Sequence, residues 1–236
     1  MNIRFYLLCI FISPYVLFAQ DKLTTTNNQS FESWNALQIQ YALTEKLSLD
    51  LETQLRLKSF GDTYNMSFFE VQAQYELQPF LELGAGYRNS DRLYDVGKIQ
   101  GHEKYNRFFG FANVKTTFNR FDFRFRIQHQ VKTQRNVSID PKDNSRWRYK
   151  LASRYNFPNW SFDPRFSVEF FIKNAFLTNE AFDKIRFSIG SKWDISKQRS
   201  LEFRYLLESE VNTLSPMRYH ILSLKYVFEI VSQKKD

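Results

Sequence analysis

Cysteine is nearly missing from this chain. Its one copy, Cys9, sits inside an apolar N-terminal segment behind Leu8, too early and with the wrong neighbour for a lipoprotein processing site. Without that segment no thiol remains, which excludes disulfides and thiol chemistry. Histidine is almost as scarce. His102, His129 and His220 are dispersed, and scattered histidines without cysteine do not build a transition-metal centre. Asp62, Asp91 and Asp95 fall in stretches that read as solvated loops, where carboxylates hold calcium weakly at best. No metal and no cofactor is expected. Long hydrophobic runs are missing as well: none reaches the roughly 18 apolar residues of a membrane helix.

The nearest approach to such a run is MNIRFYLLCIFISPYVLFAQ at the start. Arg4 supplies a basic region, Phe5 to Ile12 an apolar one, and Ala19 a small residue before the cut. This pattern is that of a secretory signal peptide. The expected division is therefore a signal peptide over 1–19 and a single domain over 20–236. Export also bears on the net charge of +8. A basic chain invites a nucleic-acid reading, but here the charges alternate along extended stretches instead of clustering in a tail or helix. Nucleic acid is not an expected partner.

Aromatic residues are abundant, at 18%, with 25 phenylalanines, and charged residues make up 25%. The two groups are sorted by position. In Leu47 to Lys58, LSLDLETQLRLK, leucines occupy one parity and Ser48, Asp50, Glu52, Gln54, Arg56 and Lys58 the other. That period of two describes a strand with unlike faces. It recurs along the chain, for example in Phe69 to Leu77, Phe121 to Gln128, Trp147 to Tyr155, Phe166 to Lys173 and Leu201 to Glu208. Short turns such as Asn119-Arg120 alternate with longer polar stretches, 59–65, 89–103, 132–145 and 174–182. Full charges sit mid-strand on the non-apolar face.

A transmembrane barrel has this form, with strands apolar outside and polar inside. A closed barrel is also one of two ways to satisfy backbone groups in hydrocarbon. The expected fold is all-β: an antiparallel up-and-down barrel of about twelve strands, eleven clear ones and a weak one from residues 22–32. Short turns face the periplasm and longer loops face outward. Tyr41, Tyr75, Phe121, Tyr155 and Trp193 near the short turns, with Tyr87, Trp147 and Tyr219 near the loops, read as two interfacial girdles.

The inward face divides into two walls. Asp50, Glu52, Glu70, Glu76 and Glu82 make an acidic one. Arg124, Arg126, Arg146, Arg148, Lys150, Arg154, Arg165, Lys184 and Arg186 make a basic one. Arginines reaching across to Asp50 and Glu52, above all Arg124, Arg126 and Arg148, are expected to fill a narrow lumen, because a desolvated charge needs a partner. The other reading is an anion path, since rings of Arg and Lys select anions. A lipid-hydrolysing barrel would need a serine two residues after a strand histidine, on the same face. His129 has Val131 there, His220 has Leu222, and Ser223 has the wrong parity.

Trp34, Glu52-Thr53-Gln54-Leu55-Arg56, Gly84-Ala85-Gly86-Tyr87-Arg88 and Arg107-Phe108-Phe109 follow one another in a distinctive order. Phe123-Arg124-Phe125-Arg126, Arg146-Trp147-Arg148-Tyr149 and Glu169-Phe170-Phe171 continue it. In this succession the chain resembles an uncharacterised family of Bacteroidota outer-membrane β-barrels, a domain of unknown function. The resemblance implies a barrel in the outer membrane of a Gram-negative bacterium and brings no functional residues. The expected role is a non-enzymatic structural, accessory or partner-binding barrel with a charge-lined, mostly filled lumen. A narrow channel for small anionic solutes, a porin in the broad sense, is the alternative, and a lipid-modifying enzyme comes third. Expected partners are the lipid bilayer with its lipopolysaccharide, the barrel-assembly machinery during insertion, and other envelope proteins.

Overall fold

Alternating side chains let one strand turn unlike faces to unlike surroundings, and the described part of this chain consists almost wholly of such strands. The computed structural model describes residues 28–95, 100–135, 144–158, 160, 162–173 and 182–231. The expected signal peptide lies outside them. In order the strands are β1 (Gln29–Ala42), β2 (Leu47–Lys58), β3 (Thr63–Gln78), β4 (Leu81–Tyr94), β5 (Gly101–Phe118) and β6 (Phe121–Gln134). They continue with β7 (Asn144–Tyr155), β8 (Asp163–Lys173), β9 (Phe182–Ser196), β10 (Arg199–Glu210) and β11 (Arg218–Val231). Each pairs with the next, and β1 pairs with β11, so the sheet closes on itself.

The strand number corrects the expectation of twelve. Among the described residues there are eleven strands, and Gln29–Glu32 are the first residues of the strand that carries Trp34. Closure needs no twelfth strand because β1 lies parallel to β11, in register from Gln29 opposite Arg218 to Ala42 opposite Val231. All other pairs are antiparallel, so the odd count is absorbed at one seam.

Three connections at one end, 79–80, 119–120 and 197–198, are two residues long. Asn119 takes φ 54°, the left-handed conformation that tight hairpins require and asparagine tolerates. The opposite end carries the connections 59–62, 95–100, 135–143, 174–181 and 211–217. Four of these are shorter than the sequence suggested, 95–100 and 135–143 most of all. Polar residues 89–94 and 101–103 belong to β4 and β5, and 132–134 to β6. Cross-strand neighbours of opposite charge, Asp91 with Lys104 and Arg92 with Glu103, favour this extension. Polarity alone had marked these residues as loop.

The apolar parity faces outward. Leu51, Leu55, Phe125, Leu151, Ile189 and Leu224 are all exposed. The buried residues lie inside, where polar Asn113, Gln54, Glu82 and Glu169 are as enclosed as Trp34, Phe68, Phe109, Phe111 and Phe171. Glycines make room for the inner rings. A Cβ on Gly84 would stand 2.2 Å from Cζ of Phe111 and 2.7 Å from the carbonyl oxygen of Ala73. Gly84→Ala is expected to cost about 1–3 kcal/mol through overpacking, visible as a lower urea midpoint for the folded barrel in lipid vesicles. An unchanged midpoint would mean that the Phe111 ring does not lie on this glycine.

Candidate functional site

The lumen is the place where this chain gathers chemistry. Toward the end bearing the longer connections it is filled from wall to wall. The Arg56 guanidinium lies 3.6 Å from the centre of the Trp34 ring and 5.4 Å from that of Phe68, and Arg88 lies 3.7 Å from Phe68. Arg88 Nε donates to Glu70 Oε2 at 2.5 Å. On the far side Arg148 donates to Glu169 Oε1 through Nε at 2.9 Å and Nη2 at 2.6 Å. Arg186 donates from Nη1 to Glu169 at 3.2 Å and from Nε to Glu208 at 2.8 Å. Lys184 also reaches Glu208, at 3.0 Å. The guanidinium of Arg186 stands 4.9 Å from Phe171 and 5.2 Å from Trp34, so it ties β9 to β1 through the lumen. Enclosed cations are held here by ring faces as well as by carboxylates, and both interactions strengthen as water leaves.

The expected salt bridges across the lumen to Asp50 and Glu52 do not form. Asp50 accepts from Gln72 at 3.2 Å, and Glu52 accepts from Lys225 at 2.5 Å. The physical reason is reach: the ion pairs join adjacent strands, or strands one apart, which bring partners closer than the opposite wall does. Thus Arg146 pairs with Asp183 at 2.5 Å, Arg165 with Glu202 at 3.1 Å and Arg154 with Asp122. Lys115 meets both Glu82, at 2.5 Å, and Glu76, at 3.3 Å. Arg126 donates to Asn113 Oδ1 at 2.7 Å. Arg124 and Lys150 form neither a hydrogen bond nor an ion pair among the described residues.

Toward the short-turn end the lumen opens into two cavities that share Arg124 and Arg126. One, of about 480 Å³, runs past Gln38, Asp50, Glu52, Gln72 and Glu229. The other, of about 560 Å³, is lined by eight basic and three acidic side chains, with Arg148, Glu169 and Lys150 at its inner limit. The lumen is therefore crowded by packed side chains toward one end and holds polar cavities toward the other. At the crowded end the ammonium of Lys58, the last residue of β2, donates to Asp95, which lies just past β4, and holds that carboxyl below the usual range.

The histidines are not drawn together. His102 contacts Asp91 at 2.5 Å, His129 lies tilted against Trp147, and His220 meets the Tyr205 hydroxyl at 2.7 Å. Among the described residues no three His, Cys, Asp or Glu side chains are grouped to hold a metal. Tyr219, read from sequence as a girdle residue, points inward and packs against Trp34, Leu206 and Ile221. Its parity is that of Ile221, which is 1% exposed.

With the geometry in place, comparison adds a family. Residues 31–213 match the family model described as "Protein of unknown function (DUF2490)". The chain belongs to this family. No curated protein and no solved structure matches it. In this DUF2490 barrel, sequence reasoning missed the inner aromatics. Phe68 shares the parity of Glu70 and Gln72, Phe171 that of Glu169 and Lys173, and Phe109 and Phe111 that of Arg107 and Lys115. A ring on the charged parity was the available signal. The carboxylates of β10, Glu202 and Glu208, were also left out of the acidic set, although they supply partners for Arg165 and Arg186.

Proposed function

We propose that this protein is an exported outer-membrane β-barrel with a non-enzymatic structural, accessory or partner-binding role. The exposed apolar face of the closed sheet supports a bilayer and its lipopolysaccharide as the surroundings, entered with the help of the barrel-assembly machinery. The bridging of Arg186 to Trp34 and Phe171 carries the functional reading, because it obstructs the lumen in cross-section. A small barrel filled by its own side chains is a solid body, whose contacts with other envelope proteins are made at its ends. The separate placement of His129 and His220, with Gly110 and Trp147 opposite the first and Phe31 and Leu207 opposite the second, supports a role without hydrolysis, which would need a serine beside one of them.

In planar lipid bilayers the purified protein is expected to give no steady conductance steps. Combining Trp34→Ala, Arg56→Ala and Arg186→Ala is expected to produce them, by removing the obstruction. Stable steps from the wild type would overturn the filled-lumen reading. If those steps were anion-selective and collapsed in Arg124→Ala, Arg126→Ala and Arg148→Ala, they would establish a channel for small anions, which the basic lining of the larger cavity favours.

A further inference from the structure

We propose that the larger cavity at the short-turn end is a binding site for a small phosphate-bearing anion. Its charge balance is the first ground. Eight basic side chains and three acidic ones line it. All three acids already have partners: Asp122 holds Arg154, Glu169 holds Arg148 and Arg186, and Glu202 holds Arg165. The excess positive charge therefore has no counter-charge within the cavity wall.

Unused donors are the second ground. Among the described residues, Arg124 on β6 and Lys150 on β7 form no hydrogen bond or ion pair. The Nε atoms of Arg165 on β8 and Arg204 on β10 are buried without an acceptor. Four strands, β6, β7, β8 and β10, thus turn cationic side chains into one space, and those of Arg124 and Lys150 have no acceptor among the described residues. A cationic donor without an acceptor is costly, and a ligand that accepts from Arg124 and Lys150 relieves that cost for both.

Ligand chemistry follows from donor type and number. A single carboxylate has two oxygens and one charge, too few for donors spread over four strands. A phosphate group offers three acceptor oxygens and nearly two charges, and guanidinium forks match it closely. The volume of about 560 Å³ lies within the range of small-molecule sites. Entry is from the short-turn rim, since the Arg148–Glu169–Arg186 network closes the other direction. The same chemistry would suit a soluble phosphate compound or a lipid phosphate headgroup at that rim. This inference goes beyond the filled-lumen reading and does not depend on conductance.

The test is equilibrium dialysis of radiolabelled pyrophosphate against the full-length folded barrel in dodecyl maltoside at low salt. Saturable binding of one pyrophosphate per chain is expected. It should weaken at least tenfold in Arg124→Gln and in Lys150→Gln, and remain unchanged in Lys58→Gln, whose ammonium lies at the opposite end. Neither lumen residue holds an ion pair among the described residues, so both variants should keep the heat-modifiable migration of a folded barrel. Displacement by dihexanoyl phosphatidic acid at lower concentration than glucose 6-phosphate would identify a lipid headgroup as the source. The reverse order would identify a soluble phosphate compound. Absence of saturable binding to folded wild type would overturn the proposal. So would equal weakening in Lys58→Gln, or full binding in both lumen variants.

Discussion

Replacing Glu169 by alanine is expected to lower the stability of the folded barrel by about 3–5 kcal/mol, the range found when one partner of a buried ion pair is removed. Glu169 is only 4% exposed and accepts from both Arg148 and Arg186. Arg186 would keep Glu208, but Arg148 would keep only a 3.5 Å contact with Gln130 and the Phe171 ring face 5.0 Å away. Two guanidinium groups would then face each other without the carboxylate that separates them. Urea unfolding in lipid vesicles measures the loss. Glu169→Gln should fall between wild type and alanine, since it retains an acceptor without the charge. A loss under about 1 kcal/mol would be the behaviour of a solvent-exposed pair, and would mean that water reaches this layer.

Leu51→Arg is expected to be nearly as damaging, for a reason on the other face of the wall. Leu51 lies midway along β2, opposite Ile39 of β1 and Val71 of β3, and is 38% exposed on the outer surface. An arginine on the lipid face at mid-depth costs about 2–4 kcal/mol. The variant should fail to reach the heat-modifiable folded form in vesicles under conditions where wild type does so. Normal folding of Leu51→Arg would mean that the leucine face does not meet lipid. The two substitutions probe faces 180° apart and separate a barrel with a polar interior from a sheet with an apolar one.

Much of this architecture was legible in the residues. The stretch Leu47–Lys58 is β2 with the same limits, because its leucines leave no ambiguity of period. The two-residue turn at Asn119-Arg120 was legible from its chemistry. What escaped has a common cause. A rule that assigns apolar residues to lipid and charges to the lumen cannot see a lumen packed with both. Phe108, Phe109 and Phe111 of β5 illustrate this, for Phe108 is 59% exposed while the other two are buried beneath the glycines of β4. Residues far apart in sequence had to be placed before Trp34 and Arg186 could be recognised as neighbours. The pairing of Glu52 with Lys225 likewise depends on the seam, which no local pattern encodes.

That seam has a directional consequence. Because β1 and β11 run the same way, Gln29 and Arg218 lie at one rim and Ala42 and Val231 at the other. A barrel with an even number of alternating strands brings its two chain ends out at the same rim. Here they part. A fusion placed before Gln29 and one placed after Val231 would occupy opposite sides of whatever layer the barrel crosses. Nor can a hairpin join the seam strands, since parallel neighbours need a connection that crosses the full height of the wall. The ring therefore closes between its most distant described segments in sequence.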